Sequence, residues 1–344
     1  MILKFEKEKE IIRTLLQRLG ATDEEASATA EVLTEGDLRG VHSHGILRLP
    51  YILRALKRGT ILTGVEVRVV RETPVTALID GGHGLGHYVA IRAMRVAIDK
   101  AKRMGVGVVG VFNSNHFGIA GYYAELAMRE GLVGVVTTTT DPLVHPWGGC
   151  EPLLGTNALA VGLPTDPPVL LDMAMSVAAR GKLVEAVRKG EMVPEGWAVD
   201  REGRPTADPR KGLEGALSPF GGAKGYGLAF VLEVLAGPMV NASAGREVKG
   251  TLEPKDGFCT KGDLMAVIDP EAFVSREEFL ARARKFIEEV KSSRPAAGFK
   301  EIMIPGEPEF RARERHLREG IPIADEVWRE VREMAEELGV KLET

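Results

Sequence analysis

Hydrophobic residues recur at helical spacing near both ends of the chain. The pattern predicts an amphipathic helix over residues 8–19, which ends at Gly20, and a last one over residues 324–338. Thr22 and Glu25 have the spacing of a capping box, so a second helix is expected to begin there. Both ends of the chain are therefore predicted to be mainly helical.

Short apolar runs bounded by glycine, proline and polar residues fill the middle of the chain, which predicts strands. They cover residues 65–70, 75–79, 106–111, 132–137, 158–163, 169–171 and 264–268. A long helical pattern over residues 88–104 lies between the second and third of them. This arrangement predicts an α/β fold with a sheet domain over residues 75–285. Residues 1–74 and 286–344 are predicted to form a discontinuous helical domain.

Composition excludes several classes of function. The 344 residues carry 45 basic and 49 acidic side chains, a net charge of −4 that is unlike a nucleic-acid-binding protein. No apolar run approaches the roughly 18–20 residues of a membrane span, and the charged N-terminus is unlike a signal peptide. With two cysteines at no metal-type spacing, we expect a cytoplasmic protein. One glutamine and four asparagines favour a thermophilic source.

One glycine pattern imitates a cofactor motif. Gly105, Gly107 and Gly110 match the dinucleotide fingerprint G-x-G-x-x-G, which needs a strand before it and a helix after it. Here the predicted helix comes first, and the match lies within the predicted strand 106–111. We interpret the match as a false positive, so a nicotinamide cofactor would have to bind without a Rossmann fold.

The stretch 110–123, GVFNSNHFGIAGYY, is the best candidate for chemistry. It joins a predicted buried strand to a predicted helix through small polar residues, where α/β enzymes present reactive groups. His116 has a pKa suited to proton exchange near neutral pH, so it is the candidate acid–base group. A histidine that merely completes a turn is the alternative. Asn113, Asn115 and Gly118 around it favour the functional interpretation.

A second cluster lies in residues 40–48, GVHSHGILR. The Arg48 guanidinium could grip a carboxylate with two hydrogen bonds, and Ser43 and His44 could donate further bonds or relay a proton. A helix cap beside a solvated arginine explains the same residues equally well. His42 is predicted to be structural.

The polar loop 137–146 holds a further candidate. Asp141, together with Thr140, could orient His116 or hold substrate, although loop aspartates more often form turns. No metal-binding helix spacing links the histidines with this aspartate, so no metal site is expected.

Two further stretches suit an anion. Asp172, Met173 and Ala174 end a predicted strand, and Lys224 with Gly225 lies in a glycine-rich segment that opens a predicted helix. Glycines let backbone N–H groups approach a phosphate, a helix N-terminus adds a favourable dipole, and the lysine adds a point charge. An ordinary loop-to-helix transition is the alternative.

Taken in order, these motifs resemble one family, the type 2 malate/L-lactate dehydrogenases. That group also includes L-sulfolactate and ureidoglycolate dehydrogenases and a cyclic-imine carboxylate reductase. The stretches that carry the resemblance are GVHSHGILRLP (40–50), NHFGIAGYY (115–123), PWGG (146–149), GTNALAVGLPT (155–165), LDMAMS (171–176), EGWAVDREGRPTADP (195–209), PFGGAKGYGL (219–228) and PAAGFKEIMIPGEPE (295–309). They span nearly the whole chain and are specific as an ordered set.

The resemblance implies an NAD- or NADP-dependent oxidoreductase whose cofactor domain, here expected to be a mixed, antiparallel-rich sheet, is unrelated to the Rossmann fold. It also implies a homodimer joined through the helical domain. It places His116 on the family's acid–base position, to which we add His44 and Asp141 as catalytic candidates. The substrate-binding candidates are Ser43, His44, Arg48 and Thr156. The cofactor-binding candidates are Thr140, Asp172, Met173, Ala174, Lys224, Gly225 and Gly306.

The expected reaction is reversible oxidation of a small 2-hydroxy acid, malate or L-lactate, to the 2-oxo acid. Arg48 would hold the carboxylate while His116 takes the hydroxyl proton, and His44 or Asn115 would stabilise the developing alkoxide. Alternatives within the family are oxidation of sulfolactate or ureidoglycolate and reduction of a cyclic imine carboxylate. A metal-dependent hydrolase and a non-catalytic nucleotide-binding protein are alternatives from other classes.

Two stretches depart from the family's pattern. Met175 stands where the family commonly has threonine, and residues 249–263 are short and unlike the usual sequence. Both are expected to border the cofactor pocket, so the choice between NAD and NADP stays open.

Overall fold

A computed structural model describes residues 1–251 and 257–342 of the protein. The helices are α1 (Phe5–Arg18), α2 (Asp23–Leu38), α3 (Leu49–Arg58), α4 (Gly86–Met104), α5 (Ala120–Arg129), α6 (Arg180–Lys189), α7 (Pro209–Glu214), α8 (Ala223–Ala236), α9 (Arg276–Ser292), α10 (Glu307–Glu319) and α11 (Asp325–Glu337). The strands are β1 (Ile2–Leu3), β2 (Arg68–Glu72), β3 (Thr76–Asp80), β4 (Val106–Phe112), β5 (Val133–Thr138), β6 (Leu159–Leu163), β7 (Val169–Met173), β8 (Ala198–Val199), β9 (Pro205–Thr206), β10 (Ala216–Leu217), β11 (Asp263–Ile268) and β12 (Ile321–Pro322). Two short 3₁₀ turns, His42–His44 and Ile46–Arg48, lie between α2 and α3.

Seven strands form one central sheet in the order β2-β3-β4-β11-β5-β6-β7. β3 and β4 pair in parallel, whereas the other neighbours in this sheet are antiparallel. Helix α4 packs against β4, and α5 packs against β5. The predicted α/β fold with a mixed, antiparallel-rich sheet is confirmed, and it differs from the mainly parallel Rossmann sheet.

The order of the central strands brings distant loops together. β11 lies between β4 and β5, with Asp263 opposite both Val111 and Thr138. The loop after β4, the loop after β5 and the segment before β11 therefore meet at the same end of these three central strands. His116 lies in the first of these loops and Thr140 in the second.

The glycines of the rejected fingerprint allow close packing. Gly105 caps α4 in a left-handed conformation with φ of +80°. Gly107 and Gly110 lie inside β4, where an added Cβ would overlap the Ala97 carbonyl of α4 and lie 2.5 Å from Val240, respectively. Gly105 thus ends α4, and Gly107 and Gly110 allow close packing on β4. The helix precedes the match and the match lies within the strand, which is the context that the false-positive interpretation predicts.

The two ends of the chain pack against each other. β1 pairs with β12, and a buried apolar cluster joins α1, α2, α3 and α11. An ion pair between Arg54 and Glu330, at 2.6 Å, links the exposed faces of α3 and α11. The predicted boundaries of the two domains stay a prediction.

Residues 195–209, a stretch dense in Gly, Pro and Asp, contain β8 and β9, which form a small antiparallel sheet with β10. Two-residue strands are too short to produce an alternating pattern, so the sequence does not reveal them. Ala198 of β8 and Leu217 of β10 join a separate apolar cluster that includes Val144, Leu154 and Met175.

The stretch Ala223–Val240, which contains α8, is long and apolar enough to cross a membrane by length and composition alone. The sequence was not expected to contain such a run, because Lys224 and Glu233 interrupt it. In the fold, Ala229 and Leu232 pack into the apolar cluster around Val144. Glu233 is buried and accepts two backbone N–H groups. One face of this helix is therefore part of the protein interior.

Candidate active site

The loop after β4 holds His116 in place through backbone and amide contacts. Asn113 and Gly118 adopt left-handed conformations, with φ of +51° and +80°. The Asn115 side-chain amide donates to two carbonyl oxygens of the turn 81–86, at 3.0 and 2.8 Å. Both N–H groups of that amide are thereby used. The expectation that Asn115 stabilises an alkoxide is corrected: it anchors the loop.

The 40–48 segment meets this loop. The rings of His44 and His116 stack with their centroids 5.3 Å apart. Ser43 Oγ lies 2.9 Å from His44 Nδ1, and Arg48 Nε donates to the Ser43 carbonyl oxygen at 3.1 Å. The structure thus brings together four candidates from two distant parts of the sequence.

Asp37, near the end of α2, fixes the 40–48 segment. Its carboxylate accepts the Ile46 N–H at 2.6 Å and lies 2.7 Å from His42 Nδ1. The same carboxylate fills the space that a side chain at Gly45 would need. His42 is thus tied to the structural frame, and Asp37 is a positioning residue that the sequence does not single out.

The imidazoles of the site are held neutral. Burial and the Arg48 charge lower the pKa of His44 to about 3. Burial, followed by the charges of Arg48 and His44, lowers the pKa of His116 well below its ordinary value. The Gly118 N–H also points at His116 Nδ1 at 3.2 Å, which opposes an imidazolium with protons on both nitrogens. At neutral pH, the His116 ring is therefore neutral and able to accept a second proton.

Asp141 acts on the arginine side of the site. Burial lowers the pKa of Arg48, and the neighbouring Tyr51 and the Asp141 carboxylate oppose this shift. The Asp141 carboxylate accepts the N–H and the hydroxyl of Thr251, at 3.0 and 2.8 Å. The Tyr51 hydroxyl donates to the Gly250 carbonyl at 2.5 Å. These contacts hold the neighbouring segment beside Arg48, and the predicted orientation of a histidine by Asp141 stays a prediction.

Thr140 and Thr156 form one hydrogen-bonded unit. The Thr156 N–H donates to Thr140 Oγ1 at 2.9 Å, and the two hydroxyl oxygens lie 3.3 Å apart. Asn157 Oδ1 accepts the Thr140 N–H at 3.3 Å, and its amide donates to the buried Glu233 carboxylate. The structure joins a predicted cofactor residue to a predicted substrate residue. Asn157 and Glu233 support both, and the sequence does not reveal either.

Four predicted cofactor residues lie on or beside β7. Asp172 and Met173 end this strand, and Ala174 follows it. Asp172 Oδ2 accepts the Gly121 N–H in the first turn of α5 at 2.7 Å. Gly306, with φ of +89°, packs against the backbone of the same strand. The end of β7 is thus linked directly to the helix that follows the His116 loop.

Two further predicted cofactor-binding residues, Lys224 and Gly225, lie at the start of α8. Lys224 is exposed in the first turn, and Gly225 is buried where a Cβ would overlap the Phe220 carbonyl oxygen. A β-bridge between Ser176 and Pro219 joins the preceding loop to the chain just after β7. An exposed cation, a helix N-terminus and close backbone approach fit a phosphate group of a nicotinamide dinucleotide.

Comparison with known proteins decides the family. A sequence model of the family described as malate/L-lactate dehydrogenase matches residues 3–332. The chain belongs to this family. It is a dehydrogenase of small 2-hydroxy acids and uses a nicotinamide cofactor.

Similar proteins match between three quarters and nearly all of the chain. The chain is 45% identical over 343 residues to the malate/(S)-sulfolactate dehydrogenase of Methanothermus fervidus, covering 99% of each chain. The solved structure of sulfolactate dehydrogenase from Methanocaldococcus jannaschii matches with a TM-score of 0.95 and 47% identity, covering 99% of this chain and 98% of that one. A ureidoglycolate dehydrogenase (NAD(+)) of Escherichia coli K12 is 34% identical, covering 93% of this chain and 91% of that one. A (2R)-3-sulfolactate dehydrogenase (NADP(+)) of Chromohalobacter salexigens is 37% identical, and the match covers 75% of this chain and 78% of that one.

The structure bears on the two departures from the family pattern, Met175 and residues 249–263, to different extents. Met175 is fully buried in the apolar cluster with Val144 and Leu154, so its side chain packs the interior. The expectation that its side chain borders the cofactor pocket is corrected. In the stretch 249–263, residues 252–256 lie outside the described residues.

His42 and His145 make contacts within the fold. In residues 1–251 and 257–342, no group of three His, Cys, Asp or Glu side chains could hold a metal ion. His145 Nδ1 lies 2.8 Å from the Pro146 carbonyl oxygen, and His42 pairs with Asp37.

Gly86→Ala is expected to lower kcat/KM of the dehydrogenase by about 100-fold. An added Cβ on Gly86, the first residue of α4, would overlap the Asn115 carbonyl oxygen and lie 2.5 Å from that of His116. Because these atoms are backbone, the loop must shift, and a displacement of about 1 Å can cost on the order of 10²-fold. Steady-state kinetics with the preferred substrate measure the loss.

Gly181→Ala is the matched control. Gly181 is the second residue of α6, and an added Cβ there meets no heavy atom within 4 Å. We expect unchanged kinetics for this variant. If folded Gly86→Ala enzyme keeps the native kcat/KM, close packing of α4 does not constrain the His116 loop.

Proposed function

We propose that the protein oxidises malate or sulfolactate, 2-hydroxy acids with a second anionic group, reversibly with NAD or NADP. The observation that carries this is the stacking of His116 on His44 at 5.3 Å, beside the Arg48 guanidinium. A neutral base next to a carboxylate-binding cation suits a 2-hydroxy acid, whose hydroxyl and carboxylate are on adjacent carbons. Relatives named for malate and sulfolactate support the choice of substrate class.

In this proposal, each residue has one task. Arg48 binds the C1 carboxylate through its guanidinium, and Ser43 orients His44 by the 2.9 Å contact to Nδ1. In the neutral ring, the lone pair of His116 Nδ1 accepts the Gly118 N–H, so this contact opens before His116 takes the hydroxyl proton and becomes doubly protonated. Neutral His44 donates a hydrogen bond to the oxygen that loses this proton.

The nicotinamide cofactor, when bound, supplies the acceptor for the hydride that leaves C2. Lys224 and the N-terminus of α8 bind its phosphates. Thr140, Asp172, Met173, Ala174, Gly225 and Gly306 form the surrounding surface. Asp172 is held by the Gly121 N–H, so this surface and the acid–base loop keep a fixed relation.

A panel of acids tests the function. Malate, sulfolactate, L-lactate and ureidoglycolate are each supplied with NAD or NADP, and reduced nicotinamide is followed by absorbance. We expect turnover with malate or sulfolactate to exceed that with L-lactate, which lacks the second anionic group. Preference for L-lactate would overturn the substrate assignment, and absence of any turnover with either cofactor would favour a nucleotide-binding protein without this activity.

Metal removal separates the proposal from a metal-dependent hydrolase. Because Arg48 and the histidines supply the charge and the base, dialysis against EDTA is expected to leave the dehydrogenase rate unchanged. The measurement is the rate of nicotinamide reduction before and after chelation. A loss that Zn²⁺ or Mn²⁺ restores would contradict this assignment of roles.

We further propose that the protein is a homodimer. Large apolar side chains of α8, Phe230, Val231 and Val234, are exposed in the single chain, so the surface proposed here lies in the predicted sheet domain and differs from the helical interface that the resemblance implies. Burying such a face against a second copy removes apolar area from water. Light scattering is expected to give twice the mass of the chain, and a monomer mass would contradict the proposal.

A further inference from the structure

His87 is a buried histidine to which the proposed reaction gives no role. It is the second residue of α4, directly after Gly86, and its side chain is 1% exposed. Neither nitrogen of its ring has a hydrogen-bond partner among the described residues. Because buried polar groups are nearly always paired, an imidazole in this state calls for an explanation.

The start of α4 places the His87 ring beside that of His116. The close approach of Gly86 to the backbone of the acid–base loop fixes the distance between helix and loop. The two imidazole rings lie 6.4 Å apart, centroid to centroid, and their planes meet at 61°, so one ring presents its edge to the other. His87 is thus next to the acid–base group without a hydrogen bond to it.

Gly118 lies against both rings. A Cβ added to this glycine would lie 3.5 Å from His87 Nε2, and its backbone N–H points at His116 Nδ1 at 3.2 Å. The absence of a side chain at position 118 leaves the imidazoles separated by a short piece of backbone. A nitrogen of each ring therefore lies close to the same residue.

Accepting a proton changes what the His116 ring requires. A neutral imidazole has one N–H group and one lone pair, whereas an imidazolium has N–H groups on both nitrogens. In the proposed function one of these faces the substrate oxygen, and the other needs an acceptor within the protein. The Gly118 N–H is a donor and cannot supply it.

The titratable and charged groups that face these two rings are Arg48, His44 and Lys261. Arg48 and Lys261 are donors without an acceptor atom. His44 Nδ1 is engaged by Ser43 Oγ at 2.9 Å. Burial, followed by the Lys261 and Arg48 charges, lowers the pKa of His87 to about 3, so its ring is neutral and keeps a lone pair at neutral pH.

We propose that His87 is a positioning residue whose neutral imidazole accepts a hydrogen bond from the doubly protonated His116 ring during turnover. A rotation of the His116 ring opens the Gly118 contact and turns an N–H group toward His87. The proton taken from substrate stays on His116, and His87 receives none. This inference rests on the proposed role of His116 as the base.

Two substitutions separate this role from a role in stability. His87→Leu removes the lone pair and fills the site with an apolar side chain, whereas His87→Gln keeps an acceptor oxygen. Because the His87 nitrogens are unpaired in the fold, the leucine variant is expected to unfold at the native temperature or above it. His87→Phe, which keeps a planar ring without a lone pair, carries the same prediction if the leucine variant does not fold.

We expect His87→Leu to lower kcat for oxidation of the preferred acid by about 10- to 100-fold, the range for a hydrogen bond to a charged group. KM is expected to change by no more than a few-fold, because Arg48 still binds the carboxylate. His87→Gln is expected to recover most of the loss. In the leucine variant the acid limb of the kcat profile moves to lower pH, by on the order of one unit, because protonated His116 loses its acceptor.

The results that would overturn the inference differ from those that would overturn the proposed function. Native kcat and an unmoved acid limb in folded His87→Leu reject the role of His87 and leave the reaction in place. An equal loss in His87→Leu and His87→Gln indicates packing and also rejects it. If the native chain turns over none of the acids with either cofactor, the proposed function fails, and this inference fails with it.

Discussion

Replacing His116 with asparagine is expected to lower kcat for the preferred 2-hydroxy acid by about 10²–10⁴-fold, the range for loss of general acid–base catalysis. Asparagine keeps the polar volume of the ring but cannot take up the hydroxyl proton. Because Arg48 still binds the carboxylate, KM is expected to change by no more than a few-fold. Steady-state kinetics of the purified variant, with thermal unfolding as a check on folding, measure both quantities.

The pH profile adds an independent criterion. Burial and the positive neighbours of His116 lower its pKa, so the native enzyme is expected to keep its oxidation rate at pH values below the ordinary histidine range. The rate falls only when pH drops through the lowered pKa and the base becomes protonated. His116→Asn is expected to lose this limb, because no group then titrates at that position.

His145→Asn is the matched control for this substitution. His145 is buried, and its Nδ1 lies 2.8 Å from the Pro146 carbonyl oxygen, a contact that an asparagine amide can replace. Its kinetics are expected to be native. If His116→Asn retained native turnover with every acid in the panel, the acid–base assignment would be wrong.

Replacing Arg48 with glutamine is expected to lower kcat/KM by roughly 30- to 5000-fold, equivalent to about 2–5 kcal/mol for one partner of a hydrogen-bonded charge pair. The guanidinium is half-buried and fixed by its Nε bond to the Ser43 carbonyl oxygen. A substrate carboxylate would then enter a site without its counter-charge. The kcat/KM of Arg48→Lys is expected to lie between those of the native enzyme and Arg48→Gln, since lysine keeps the charge and loses the planar guanidinium.

Arg48→Gln has a second expected effect, on the pH dependence of the rate. The Arg48 charge contributes to the lowered pKa of both His44 and His116, so its removal is expected to move the acid limb of the profile upward. Arg54→Gln on α3 is the control, because Arg54 forms a surface ion pair with Glu330 worth no more than about 1 kcal/mol. Native kcat/KM in Arg48→Gln would place the carboxylate elsewhere.

Local patterns account for much of the fold. The Thr22–Glu25 capping box forms as predicted at the start of α2, and the left-handed Gly59 ends α3. The run over residues 106–111 is the buried strand β4. Such features depend on residues close in sequence, so spacing alone reveals them.

Helix α10 shows where pattern fails. Its sequence, EPEFRARERHLRE, has few apolar residues, and among its side chains it is that of His316 that is buried. The helix is held instead by polar contacts to α2, with Arg313 donating to Glu35 and His316 Nδ1 lying 2.8 Å from the Leu38 carbonyl oxygen. Partners so distant in sequence leave no periodic signal.

The scarce asparagines are an instructive case. The placement of Asn113 and Asn115 favours function when only the sequence is considered. In the structure, Asn113, Asn157 and Asn241 adopt positive φ, the left-handed region that asparagine tolerates better than most residues. Asn115 ties its loop to the glycine-rich turn instead. These asparagines serve the site by shaping its backbone.

By itself, the sequence determined the α/β class, the non-Rossmann cofactor domain and the two stretches that meet at His116 and Arg48. These follow from short-range spacing and from motifs that keep their order along the chain. Only the tertiary structure decided which buried groups support them: Asp37, Asn157 and Glu233. A buried charge or imidazole has no signature of its own, because its pKa and its function depend on neighbours that folding brings from elsewhere in the chain.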